Sequence, residues 1–508
     1  MIALRFGTLF CLGALLLPAQ ELRDYERKVT EFTLTNGLHF ILLERHQVPV
    51  VSFHTYVNAG SAQDPAGQTG MAQMFTRLAF KGAESVGTRN WPEEKKALDD
   101  LDTAYDRLEQ EINKGSRSNQ GRIASLQADA GIASNTVGRL QNPDEFTRAF
   151  QENGGVDVAC RATPDSIETS YSLPSNRIEL WFLLESQRLA HPVFRDFYKE
   201  RENMLAEIRN SVESRPQGIL LQKLLATAFE TLPYRNPVLG WPSDVVNLKK
   251  AGAKAFFDTY FVPGNIVISI VGDVDPSNAQ RLAERYFGSI PEKPLPPLLH
   301  TQEPAQVGPK TVALWGSSVQ PLLAIGYKRP AWTQRDDTAL DTIRMILGDG
   351  RTSWMYKDLV EEKRIAQEVE AVSSFPSGRY TSLFTFLVAP AADRSVEENR
   401  KALDDLITRF QSKPVDAETL VRVKNVMRGR IARMLGSNQK LAALLPAYYV
   451  NYGNWRRLFT DLSLYSQLTA EDLQRVALQY FIPANRTVGY ISSGPLPGVS
   501  ASGIGGPQ

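Results

Sequence analysis

At 508 residues the chain is too long for one ordinary hydrophobic core, so two or more domains are expected. Its 43% apolar and 22% charged content fits a soluble globular protein. Fifty-seven basic against fifty-six acidic residues leave almost no net charge, which gives no support for nucleic-acid or anionic-membrane binding.

Residues 1–19 read as a secretory signal: Arg5, an apolar run from Phe6 to Leu17, then Pro18-Ala19. The run is too short to span a bilayer comfortably, and the charged stretch Glu21 to Lys28 follows at once. Cleavage after Ala19 makes the mature chain an exported protein, periplasmic or extracellular. Cys11 lies in no lipoprotein-type motif and leaves with the signal, so Cys160 stands alone and no internal disulfide is expected. Phe32 to Leu43 reads as a hairpin turning at Asn36-Gly37, and Val50 to Val57 as a further strand. None of His39, His46, His54, His191 and His300 has a second His at i+3 or i+4, so none is assigned a metal role.

The stretch Gly60 to Ala83, G-S-A-Q-D-P-A-G-Q-T-G-M-A-Q-M-F-T-R-L-A-F-K-G-A, organises the chain. A turn-rich loop feeds a helix whose Met71, Met74, Phe75 and Leu78 recur at i, i+3, i+4, i+7, and Gly82 is placed to stop it. This wording resembles the active-site helix of the insulinase/pitrilysin family, the inverted zinc peptidases. There the helix carries H-x-x-E-H: two His at i and i+4 bind zinc and the Glu between them is the general base. The matching positions here are Gln73, Thr76 and Arg77. Gln is a poor zinc ligand, Thr cannot take a proton from water at neutral pH, and Arg brings a fixed positive charge to a dication's place. The resemblance implies a zinc-peptidase fold with an emptied site: no catalytic residue, no metal and no cofactor, zinc being the cofactor of active relatives.

Residues 91–141 read as an insertion relative to most of the family. Pro92 with Glu93 and Glu94 starts a helix, and Leu98, Leu101, Tyr105, Leu108 and Ile112 follow at the spacing of a coiled-coil seam. A polar turn at Gly115 to Gly121 makes the unit a helical hairpin, either a self-packed appendage or a partner-binding arm. Asn153 to Pro174 resembles the family's edge strand, which pairs with substrate backbone; active members show Asn-Ala and then a Thr. Here Val158, Ala159 and Arg161 stand in that stretch, which is one residue longer. Two helices follow, Ile178 to Ala190 and Phe197 to Ser214. In the second, Glu207 sits at the family's third zinc-ligand position, with Ala206 where relatives carry another Glu.

Tyr260-Phe261-Val262-Pro263 with Asn265 returns near the C-terminus as Tyr480-Phe481-Ile482-Pro483 with Asn485, an internal duplication at about half the chain length. Pro294, Pro296, Pro297 and Pro304 mark 291–309 as the linker between the copies. The resemblance, covering nearly the whole mature chain, implies an α+β fold of two homologous clamshell halves. Each half is an antiparallel-rich sheet packed with helices, 20–290 and 310–493, ahead of a disordered tail at 494–508. In the second half, the family's Arg and Tyr that hold the substrate carbonyl fall at Glu361 and Gln367, with Arg364 or Tyr380 as stand-ins.

These readings imply a non-catalytic subunit that pairs with an active paralogue to form a peptide-binding chamber. The alternatives are a zinc endopeptidase with unusual ligands and a stand-alone peptide-binding protein.

Overall fold

A computed structural model describes residues 25–316, 320–493 and 502–503. The expected signal segment therefore lies outside the described residues. Among those described, no helix is long and apolar enough to cross a membrane.

The first half contributes β1 (Val29–Thr33), β2 (His39–Glu44), β3 (Val50–Val57), β4 (Val156–Ala162), β5 (Ile167–Pro174) and β6 (Ile266–Gly272). The second contributes β7 (Lys310–Trp315), β8 (Leu322–Arg329), β9 (Ala366–Phe375), β10 (Ser382–Pro390), β11 (Arg486–Ser492) and the short β12 (Ser502–Gly503). The hairpin turning at Asn36-Gly37 forms as β1 and β2. The sheets run β1-β2-β6-β3-β5-β4 and β12-β7-β11-β8-β10-β9. With β1 and β12 set aside, the two orders match strand for strand. Both have one parallel pair, β2 with β6 and β7 with β11, and antiparallel pairs elsewhere. The duplication seen in the sequence is thus a duplication of topology. In the tail read as disordered, β12 pairs in parallel with Leu314 and Trp315 of β7.

Besides a single turn at Pro242–Val245, the helices of the first half are α1 (Met71–Leu78), α2 (Trp91–Ile112), α3 (Gln120–Leu140), α4 (Glu145–Glu152), α5 (Ile178–Ala190), α6 (Phe197–Ile208), α7 (Pro216–Ala228), α8 (Lys250–Tyr260) and α9 (Pro276–Phe287). Those of the second are α10 (Asp337–Gly348), α11 (Val396–Ser412), α12 (Ala417–Leu435), α13 (Asn438–Tyr452), α14 (Arg457–Gln467) and α15 (Ala470–Tyr480). The helix expected to reach Ser214 ends as α-helix at Ile208 and continues as a π turn, Arg209–Glu213.

The repeated phrase has a local cause. After α8 and α15 the chain turns through Pro263–Asn265 and Pro483–Asn485. The Asn265 side-chain amide donates to the Tyr260 carbonyl at 2.9 Å, and that of Asn485 to the Tyr480 carbonyl at 3.0 Å. Each Asn satisfies a carbonyl that the helix end leaves without an amide.

The halves exchange helices. Leu220 and Leu224 of α7, a first-half helix, pack on Leu314, Ala324 and Ile491 of the second sheet. Leu441, Ala442 and Leu445 of α13, from the second half, pack on Ile41, Leu43, Val267 and Val271 of the first sheet. Each such buried Leu is worth about 1.5–3 kcal/mol. The 291–309 linker has no helix or strand, yet it is pinned. Glu303, its side chain 1% exposed, meets Lys328 at 2.5 Å and accepts from the backbone N–H groups of Glu230, Thr231 and Leu232.

Candidate functional site

Helix α1 lies where its spacing places it. Met71, Ala72, Met74, Phe75 and Leu78 are buried, and Phe75 sits among Phe194, Phe256, Phe257 and Phe261. Asp64 fixes the helix start, accepting from the N–H of Gly70 at 2.7 Å and of Ala72 at 2.8 Å. The loop before it is stitched to the β4–β5 turn, Ser61 N–H to Thr163 O and Ala62 N–H to Pro164 O. A Cβ at Gly60 would stand 2.3 Å from that Thr163 oxygen, so only glycine permits the approach.

The faces of α1 and α6 turned to one another hold the degenerate positions. Gln73, Thr76 and Arg77 are half-buried, and the Thr76 hydroxyl donates to the Gln73 carbonyl at 2.8 Å. Arg77 reaches across to α6. One guanidinium nitrogen bonds the Glu207 carboxylate, and another donates to Glu200 at 3.3 Å. Lys81 adds contacts to Glu200 at 2.9 Å and Asp196 at 3.0 Å. Burial would raise the Glu200 carboxyl, but Lys81, Asn203 and Arg77 hold it below the usual range. Glu207, which the resemblance sets at the third-ligand position, is therefore an ion-pair partner of Arg77.

Sequence reasoning missed Glu200. It stands seven residues before Glu207, two helical turns on the same face, and that i, i+7 spacing was the available signal. It also missed the seat of α1. Arg195, 3% exposed, bonds the carbonyls of Lys81, Ala83 and Val86 and is held by Glu94, fully buried at the base of α2. The α2–α3 hairpin is thus docked beside the site, with Tyr105 stacked on Tyr198 at 3.7 Å.

The expected edge strand is β4, outermost in its sheet. Its additional residue is absorbed as a β-bulge: Val156 pairs with Ser172 and Ala159 with Ser170, and Asp157 between them has φ +58°. Val158 is half-buried and Ala159 exposed, while Arg161 is tied to Glu168 of β5 at 2.7 Å. His54 on β3, which has no second His near it in sequence, also meets Glu168, at 3.2 Å and out of solvent. Burial pushes the Glu168 carboxyl up, but His54, Arg161 and Ser166 hold it down at about 2. The same sheet face meets the second half, where Arg379 bonds the Tyr56 hydroxyl at 2.8 Å and the Asn58 side chain.

Glu361 is exposed in a π turn, Tyr356–Glu362, and Gln367 is exposed on the outer strand β9. Neither makes a hydrogen bond or ion pair to α1 or α6 among the described residues. Arg364 is likewise exposed, with φ +52°. Tyr380 packs edge-on to Tyr234 at 5.8 Å, in the joint between the halves. The structure does not bring these four to the α1–α6 pair.

The donor set does not fit zinc: an amide, a hydroxyl and a guanidinium face two carboxylates, Glu200 and Glu207, that are already paired. Among the described residues, no group of three or more His, Cys, Asp or Glu side chains is placed to hold a metal ion.

The family model described as "Peptidase M16 inactive domain" matches residues 247–427. A zinc protease of Helicobacter pylori, PqqE, is 24% identical over 482 residues, 92% of this chain and 94% of that protein. A probable mitochondrial-processing peptidase subunit beta of Arabidopsis thaliana is 22% identical over 90% of this chain and 76% of its own. Among solved structures, a protease from Helicobacter pylori superimposes with a TM-score of 0.77 at 22% identity, covering 92% of this chain and 99% of that one. The periplasmic protease PqqL of Escherichia coli does so with a TM-score of 0.65 at 14% identity, covering 92% of this chain and 48% of that one.

Proposed function

This chain belongs to the insulinase/pitrilysin family, the M16 peptidases, and from that premise we propose that it is an exported, non-catalytic member that pairs with an active paralogue to form a peptide-binding chamber. The observation that carries the reading is Arg77, whose guanidinium bonds Glu207 from a metal-ligand position. A guanidinium cannot deprotonate to coordinate zinc, and its charge repels a dication. Thr76 supplies no base for activating water. Export is supported by the signal-like residues 1–19 and by the periplasmic location named for one structural relative. Pairing is supported by the relative named as a subunit of a processing peptidase.

Zinc content of the purified mature protein, measured beside peptide cleavage in the same sample, tests the reading. The expected result is no stoichiometric zinc and no cleavage, with cleavage appearing only when a paralogue carrying an intact H-x-x-E-H is added. One zinc per chain, lost in Glu207→Ala together with chelator-sensitive cleavage, would overturn it. The triple variant Gln73→His, Thr76→Glu, Arg77→His should gain stoichiometric zinc, with Glu207 released to serve as third ligand.

A further inference from the structure

The first turns of α2, through Trp91, Lys95, Leu98, Asp99 and Asp102, wall a cavity of about 490 Å³ that shares no residue with the α1–α6 site. Leu98 of α2, Phe194 of the loop after α5, Phe257 of α8 and Phe261 just after it form its apolar wall, each at most 9% exposed. Its size is that of small-ligand pockets, about 300–1,000 Å³.

Charges of both signs line the cavity, and they are incompletely paired. Among the described residues, the carboxylates of Glu84 and Asp99 and the ammonium of Lys95 have no ion-pair partner. Lys254 and Lys293 share one carboxylate, Asp258, at 2.5 and 3.3 Å. Lys250 and Asp102 satisfy each other at 3.0 Å. An aliphatic acid would leave Glu84 and Asp99 unanswered, and an aliphatic amine would leave the lysines so. A zwitterion with an apolar body answers both. We propose that this cavity binds a short apolar peptide, of dipeptide size, with its ammonium toward Glu84 and Asp99 and its carboxylate toward Lys254 and Lys293. The peptide enters intact and no bond changes. This binding does not depend on the α1–α6 pair, so an active or inactive zinc site leaves it unaltered.

Calorimetric titration of the full chain with Leu-Phe, N-acetyl-Leu-Phe and Leu-Phe-amide tests the assignment. The free dipeptide should bind one to one, and each blocked form about tenfold more weakly, the scale of one charge-assisted contact. In Glu84→Gln/Asp99→Asn the penalty for acetylation should vanish and that for amidation remain. In Lys254→Met/Lys293→Met the reverse should hold. These side chains are on the surface, so folding is expected to persist, checked by an unchanged Tm. Ala251→Trp, which fills the cavity from an exposed position on α8, should abolish binding. Equal affinity for the three ligands, no saturable binding, or binding indifferent to Ala251→Trp would each overturn the proposal.

Discussion

Helices α1 and α10 occupy matching places, each following the central strand of its sheet and packing beside the outermost strand. They fill those places differently. In α10 nearly every residue from Thr338 to Gly348 is buried, and its one strong charge pairing, Asp337 with Arg329, ties the helix to its own strand β8. In α1 the apolar face is just as buried, but Gln73, Thr76 and Arg77 form a polar row toward α6. A helix needed only for its core contacts can bury almost all of its surface, as α10 does. A helix opposite two carboxylates needs a positive charge between them, and in α1 Arg77 supplies it. The difference teaches what a pair of facing acids demands of the helix opposite: cations that neutralise them.

The sharpest way to break the comparison is Arg329→Met. Arg329 is fully buried and donates to the carbonyls of Pro330 and Ser373 as well as to Asp337, so removing it leaves three part-buried acceptors without their donor and should cost about 4 kcal/mol in urea unfolding. The joint shared by both halves comes next. The Lys328 ammonium and three backbone amides hold the Glu303 carboxyl, against burial, down from its ordinary 4.5 to about 2. Because the folded value is the depressed one, the stabilisation is present above pH 4.5 and lost as pH falls toward 2. It amounts to about 3 kcal/mol, so Glu303→Gln should flatten the acid limb of a stability–pH curve in that window. Arg77→Met should cost less, about 2 kcal/mol, since Arg77 is 22% exposed and water takes up part of the freed charge. Equal losses for Arg77→Met and Arg329→Met would erase the distinction between the two helices. The smallest effect belongs to Glu207→Gln. Its side chain is 40% exposed and Glu200 stays on Arg77, so thermal unfolding should register under about 1 kcal/mol.

Much of this was legible in the sequence where the cause is local. The α1 core face follows from a period of 3.6, the β1–β2 turn from Asn36-Gly37, and the repeated Tyr-Phe-x-Pro phrase from an Asn side chain closing a helix end five residues away. The additional residue in the edge strand was countable before the bulge was visible. What escaped depends on pairings between distant segments. Arg77 and Glu200 are 123 residues apart, and no local pattern announces that they meet. His54 looked isolated because its partner, Glu168, comes from another strand. The exchange of α7 and α13 between halves is likewise a property of the folded whole.

That exchange makes the peptide bonds between the halves dispensable once folding is complete. Leu295 and Leu298 in the connecting stretch are 69% and 72% exposed, open to a protease, whereas the surfaces that α7 and α13 cover are shut away from water. A chain nicked there would give two bands on a denaturing gel and one peak on gel filtration. Expressed apart, each fragment would present a bare apolar sheet that only its counterpart fits, which makes the two a ready-made pair for split-protein complementation.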